Sequence, residues 1–447
     1  MFNNNILQRV DINMNQSKAI IIVENREALR VAASAARIST QQGTAMEMFE
    51  GSRGDERDLK LIGKVLSSGH KSVIEHQTFS VAFNDVSVLV EQFVIECRLA
   101  SFTVKSRRYV DFAGAGFVVP DGLDEARERL YRETMQARFA DYERLLALGV
   151  PKEDARFLLP YCLRSNFFMT LNARELIGLI CAMLYGRGKG MTEVEALGAQ
   201  LKEQFDALYP GVIEREATRY PECAPMALPE TIRQGTAREG DAELLNAFEE
   251  AAGFLKEMCA FTGRLDGDII ALLTDARPRE LEMVRYTFRV KRVSLACVTH
   301  FTRHRMVSLL VPPVVRAMAE GDFVLPETVK AIPEAEAVYR AAFEAQARAA
   351  RQARDMGISM QALSYFALSG HEIDLVLAMN LRELAHFMRL RTCNRAQWEI
   401  RGVAWKMLKL LCGKEPELFT HIGPSCAYGP CPEGKMSCGK PYKRMRN

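Results

Sequence analysis

The segment THFTRHRMVS crowds four cationic or potentially cationic side chains, His300, Arg303, His304 and Arg305, onto the end of an apolar run. Adjacent cations repel one another, so the cluster is easiest to understand if a phosphate or an electron-rich ring lies among them. A solvated basic turn is the competing reading. Earlier in the chain, KSRRY carries Lys105, Ser106, Arg107 and Arg108. Ser106 and Arg108 are two residues apart, so an extended loop points both to one side, and a hydroxyl beside a guanidinium suits a phosphate or a pyrimidine carbonyl edge. Pairing of Arg108 with a surface carboxylate is the alternative. No His–Asp arrangement accompanies Ser106, which reads as a binding hydroxyl rather than a nucleophile. In the helix expected after Asn380, Leu384, Phe387, Met388 and Arg391 fall at i, i+3, i+4 and i+7, which puts Arg391 on the apolar stripe. Burying a guanidinium is costly unless it is paired, so Arg391 is either in a buried ion pair or reaching into a ligand pocket. Arg382 and His386 lie on a neighbouring face, placed to flank the same pocket.

The elements that must position these groups occur twice. NARELIGLICAM (172–183) is matched by NLRELAHFMRLR (380–391), CRLAS (97–101) by HRMVS (304–308), and FVVP ending at Pro120 by FVLP ending at Pro326, in one order and at nearly one spacing. Each copy has lost what the other keeps. Arg303, His304 and Arg305 stand where the first copy has Glu96, Cys97 and Arg98; KSRRY stands where the second has PPVVR; Arg391 stands where the first has Met183. Two copies paired face to face would make one complete anion-binding site from two incomplete halves. The expected division is a first copy over residues 1–225 and a second over 226–447.

Within each copy the pattern predicts a strand, helices and a strand running into a helix, as in AIIIV from Ala19, the Leu59, Ile62 and Val65 helix closed by Gly69, and a long amphipathic helix through residues 124–149. A Pro-, Glu- and Thr-rich connector is expected over roughly residues 215–241. Strands and helices without a βαβ rhythm predict an α+β fold. No Walker or Rossmann glycine motif is present. The 447 residues carry a net charge of only +3, which argues against bulk electrostatic binding to nucleic acid or membrane. No apolar run reaches the ~18 residues of a membrane span. A polar start without a signal-peptide pattern and eleven cysteines predict a reducing cytoplasm. The tail holds Cys426, Cys431 and Cys438, with Cys412 or His421 as conceivable fourth ligands, but the spacing matches no standard zinc module. A thiol-bearing tail without metal is expected.

The pattern resembles the flavin-dependent thymidylate synthases, whose signature is RHRxxSxNExSxRY. ECRLASFTVKSRRY aligns with it without a gap and keeps Arg98, Ser101, Ser106, Arg108 and Tyr109, while RHRMVS in the second copy holds its start. GHKSVIEHQTFSVAF, VPKEDARFLLP, NFFMTLNAREL and NLRELAHFMRLRTCNRAQWEIR also resemble the family. The signature's Asn-Glu pair is Thr103-Val104 in one copy and Leu310-Val311 in the other. The resemblance implies tandem copies of that fold forming an intrachain pseudo-dimer. It implies FAD held by Ser72, Asn172, Arg174, Arg303, His304, Arg305, Asn380, Arg382 and His386. It further implies dUMP held by Lys105, Ser106, Arg107, Arg108, Arg156, His300, Arg303 and Arg391, with Arg391 catalytic, and methylenetetrahydrofolate and NADPH as co-substrates. A homo-oligomer, a dimer of pseudo-dimers, is implied as well. Another C5 modification of a pyrimidine nucleotide by a flavoprotein, or a non-catalytic nucleotide-binding paralogue, are the alternatives.

Overall fold

The protein is described by a computed structural model over residues 17–24, 27–218, 229–264, 269–276 and 278–442. Its sheets repeat one design. In the first, β1 (Lys18–Glu24), β2 (Thr78–Ser87), β3 (Ala100–Val104) and β4 (Arg164–Asn172) run antiparallel in the order β1-β2-β4-β3. After the two-residue β5 (Ala237–Arg238), the second sheet uses β6 (Asp241–Asn246), β7 (Arg285–Ser294) and β8 (Ser308–Leu310). The parallel partner of β5 is β9 (Phe323–Val324), and β10 (Glu372–Asn380) completes the sheet in the order β6-β7-β10-β8. Alternate side chains of the central strands are buried, Phe79, Val81 and Phe83 on β2 and Tyr286, Phe288 and Val290 on β7, because a strand facing a helix layer hides every second residue.

The two central strands also break their ladders in the same way. Asp85 and Arg292 adopt φ of 53° and 55°, a left-handed conformation that residues with a side chain rarely take. Each is a bulge held by the neighbouring strand: the Asp85 N–H donates to Asn166 Oδ1 at 3.0 Å, and the Arg292 N–H to Asp374 Oδ1 at 3.0 Å. Two residues on, Ser87 and Ser294 cap the next helices, Val88–Ile95 and Leu295–Thr302, by accepting from Val90 N and Cys297 N, both at 3.1 Å. The repeated sequence thus has repeated backbone devices.

The chain divides into two compact units. One comprises residues 1–106, 114–124 and 162–227, the other 107–113, 125–161 and 228–447. Segments from the first half of the sequence are therefore integral to the second unit. Its two longest helices, Glu125–Ala147 and Pro333–Asp355, lie against each other. Arg138, almost wholly buried, donates across that seam to the Ala342 carbonyl, and the Tyr131 and Phe366 rings meet edge to face at 5.5 Å. Tyr161 N–H donates to Ala367 O at 2.8 Å. The expected connector lies partly outside the described residues; among those described, its start completes the helix Val212–Ala217 and its end forms β5. Among the described residues no helix is long and apolar enough to cross a membrane.

Candidate active site

Two helices of the second unit set the centre of the site. The cap on Leu295–Thr302 starts a helix that carries His300 inward and ends at Arg303, so His304 follows the last turn and is buried. Asn380 accepts from Glu383 N at 2.9 Å and so starts the helix Leu381–Arg391 immediately after β10, placing Glu383 in its first turn and Arg391 in its last. Leu384, Phe387 and Met388 are buried on the same face, as the spacing predicts. His304 bridges the helix ends: its Nδ1 is 2.8 Å from Glu383 Oε1, and its Nε2 accepts from Arg391 Nε at 3.0 Å. Arg391 Nη2 donates to the His300 carbonyl at 3.1 Å. Because a guanidinium only donates, Nε2 must be unprotonated and Nδ1–H faces Glu383, the tautomer a carboxylate enforces. Burial lowers the His304 pKa, which keeps the ring neutral. Arg391 is thereby oriented by an imidazole and a carbonyl, neither of which cancels its charge. Burial, with Arg303 and Arg108 nearby, pushes it down to about 10.

Arg156 and Arg108 enter from the first half of the sequence. Arg156 opens the turn Arg156–Leu158, is only 4% exposed, and donates from Nε to Glu153 O at 2.9 Å. Its Nη2 is buried without a hydrogen-bond partner, and burial beside Arg107 pushes its pKa down to about 10. Arg108 pairs with Glu153 and, with Arg391, lines a cavity of about 260 Å³. His300 Nε2 is also buried without a partner; burial, with Arg156, Arg391 and Arg303 around it, drives its pKa far below the usual imidazole range. A buried donor left unmade costs about 1–3 kcal/mol, more when charged. Surplus positive charge around such groups is what an anionic ligand would relieve.

The geometry corrects one expectation. Arg107, Arg108 and Tyr109 form a turn rather than continuing an extended loop, so the period-2 argument that put Ser106 and Arg108 on one side does not apply. Lys105 and Ser106 belong to the first unit, Arg107 and Arg108 to the second. Ser72, Asn172 and Arg174 are also in the first unit: Ser72 is exposed in the turn Lys71–His76, Asn172 caps the helix Ala173–Leu184 by accepting from Glu175 N, and Arg174 pairs with Glu75 at 2.6 Å. In the second unit Arg303 and Arg305 are exposed beside buried His304, Arg382 pairs with Glu282, and the His386 ring lies 5.7 Å from that of His304.

The corresponding place in the first unit has been rebuilt. Cys97 stands where His304 does and lies 3.7 Å from Glu175, the counterpart of Glu383. Burial and that carboxylate push its thiol up to about 12. The adjoining cavity of about 320 Å³ holds Arg174, Glu96 and Arg187, but Arg187 is spent on Glu96, Lys71 on Glu216, and Met183 fills the place of Arg391. Among the described residues lining that cavity, Lys71, Arg174 and Arg187 are each ion-paired.

Sequence reasoning missed Glu383, Glu153 and Glu399. Glu383 had a signal, since NARE and NLRE both keep the acid. Glu399, in the helix Trp398–Lys414, accepts from Ser294 N at 2.6 Å and Ser294 Oγ at 2.5 Å, and its burial pushes its pKa up to about 7. A raised carboxyl pKa contributes stability that is complete below the ordinary value of 4.5 and is lost as pH rises through about 7. Glu399→Gln, which stays neutral, is therefore expected to gain on the natural protein between about pH 5 and about pH 8. Melting temperatures across that range test this; a difference independent of pH contradicts it.

The family profile for the thymidylate synthase complementing protein matches residues 21–211 and 256–417. The chain belongs to that family. A flavin-dependent thymidylate synthase of Geobacter sulfurreducens is 38% identical over 163 residues, covering 36% of this chain and 70% of that protein. One of Thermococcus onnurineus is 33% identical over 177 residues, covering 37% and 72%. A solved structure of a UMP/dUMP methylase PolB from Streptomyces cacaoi, bound with 5-Br dUMP, overlaps weakly, with a TM-score of 0.38 and 23% identity over 47% of this chain and 98% of that one. Two matches in one chain fit a tandem duplication of the thymidylate synthase complementing protein unit. The tail after residue 417 lies beyond both.

Proposed function

We propose that this chain is a flavin-dependent thymidylate synthase, converting dUMP to dTMP with methylenetetrahydrofolate as carbon donor and NADPH as reductant, at one composite site that draws its residues from both copies. The observation that carries this reading is the meeting of Arg108 and Arg156, from the first copy, with His300 and Arg391, from the second, around a buried guanidinium nitrogen that has no partner. Arg156 and Arg108 bind the phosphate. Arg391, whose charge no carboxylate cancels, stabilises the negative charge that develops on the uracil ring as C5 becomes nucleophilic. His304 is a positioning residue: it holds Arg391, and Glu383 holds it.

The residues present fit FAD. Exposed Arg303 and Arg305 flank the His304 turn and suit a diphosphate, with His386 beside them and unpartnered His300 Nε2 behind. When bound, FAD supplies the redox chemistry that completes the methyl group. Ser72, Asn172, Arg174, Asn380 and Arg382 remain part of the proposed flavin contacts, and Lys105, Ser106 and Arg107 of the nucleotide contacts, in a cytoplasmic dimer of pseudo-dimers. Cys97 and Cys297 both hold their protons well above neutral pH, which disfavours either of these two as the nucleophile. The replacement of the Asn-Glu pair by Thr103-Val104 and Leu310-Val311 favours, as a second reading, a different C5 modification of the same nucleotide. Product analysis of an anaerobic reaction with dUMP and methylenetetrahydrofolate, alongside the absorption spectrum, separates the two: dTMP supports the first, any other C5 product the second.

A further inference from the structure

The cavity shared by Arg108 and Arg391 has a wall that the family match does not reach. After residue 417 the chain passes through the turns Ser425–Ala427 and Gly434–Met436 and lines that cavity with Cys426, Cys431, Glu433, Cys438, Lys440 and Tyr442. Four contacts hold it in place. The Arg389 guanidinium lies 4.3 Å from the Tyr428 ring centroid, and the Tyr442 ring packs 5.6 Å from that of Trp405. Tyr442 N–H donates to Cys426 Sγ at 3.3 Å, and Asn394 Nδ2 to Cys438 Sγ at 3.7 Å. Two of the thiols are thus hydrogen-bond acceptors, Cys426 within the tail and Cys438 toward Asn394. Among the described residues no three His, Cys, Asp or Glu side chains converge as metal ligands would.

What this wall adds is charge. Arg108 is paired with Glu153, Arg389 lies over Tyr428, and Arg391 is held by His304 and the His300 carbonyl. The other two cations of the lining, Arg395 and Lys440, are exposed, and among the described residues no carboxylate pairs with either. Glu433 is the one acid in the lining. Uncompensated cations lining a concave site concentrate the field on an incoming anion.

We propose that Arg395 and Lys440, exposed on the lining of this cavity, form a second anion-recognition site, taking the charged end of a co-substrate. With the nucleotide phosphate assigned to Arg156 and Arg108, that end is the glutamyl carboxylates of the one-carbon donor, and the tail is thereby part of the active site. This rests on the reading of the composite site as the place of dUMP methylation. The donor must reach the uracil ring beside Arg391, and the cavity connects that arginine with Arg395 and Lys440.

The test is equilibrium binding to the flavin-loaded full chain, measured separately for dUMP and for tetrahydrofolate carrying one or several glutamates. The proteins compared are the natural one, Arg395→Ala, Lys440→Ala, the double variant, Lys440→Arg, and Lys435→Ala as a tail lysine outside the cavity lining. The double variant is expected to weaken the folate about tenfold and leave dUMP unchanged, as loss of charge-assisted hydrogen bonds to its carboxylates does, with Lys440→Arg close to the natural protein and Lys435→Ala unchanged. A lost preference for several glutamates supports the carboxylate site; a weakened dUMP with folate binding intact overturns it. Unchanged affinities for both ligands overturn the second anion site alone. A natural protein that binds neither overturns it together with the reading on which it rests.

Discussion

Arg391→Met is expected to lower dTMP formation by about 10²–10³-fold, the usual cost of removing a preorganised group aimed at developing charge. Methionine is what the first copy carries at the matching place, where Met183 is fully buried, and it suits the stripe of Leu384, Phe387 and Met388. The fold and bound flavin should therefore survive. The loss should fall on kcat more than on flavin content, because the arginine acts where charge develops on the ring rather than where the cofactor is held. Steady-state kinetics with flavin absorbance and circular dichroism on the same sample read all three. Normal turnover in this variant would remove Arg391 from the mechanism.

Arg156→Met should move function and stability in opposite directions. Its side chain is buried, it carries a nitrogen with no partner, and among the described residues no carboxylate neutralises it fully: Glu153 pairs with Arg108, and Glu399 is itself pushed up to about 7. Replacing a poorly compensated buried charge with an apolar side chain of similar volume is neutral or stabilising by about 1–4 kcal/mol. The same change removes a cation that the phosphate needs, at a cost of about 3 kcal/mol or about 100-fold in dUMP affinity. Titration calorimetry and thermal melts test the pair. Unaltered dUMP binding contradicts the assigned role, and a large fall in melting temperature contradicts the account of Arg156 as a strained, ligand-awaiting charge.

The parts of this molecule that were legible in the sequence are those set by local rules. Asn172 and Asn380 are followed by an acid three residues on and then an apolar stripe, which marks a helix start, and both cap helices as that pattern requires. Arg391 stands out because an arginine on such a stripe needs a reason. Nothing local marks Arg292 as a left-handed bulge, since its conformation depends on an Asp374 carboxylate from another strand. Nor does a repeat reveal how the chain packs. Repeats report ancestry, whereas the contact of Arg138 with Ala342 arises from two helices far apart in sequence. The tail is opaque for the same reason: no spacing in the sequence reveals that Cys438 accepts from Asn394 or Cys426 from Tyr442.

The most direct test of a single composite site is to count product in one turnover. The protein is loaded with flavin, reduced under anaerobic conditions, mixed with excess dUMP and methylenetetrahydrofolate, quenched, and its dTMP measured against the concentration of chains. Pairing of Arg108 and Arg156 with Arg391 in the second unit, against the ion-paired and methionine-filled counterpart in the first, predicts one dTMP per chain. Two per chain would mean that both copies carry a working site, and none would mean that the arginine cluster serves another reaction.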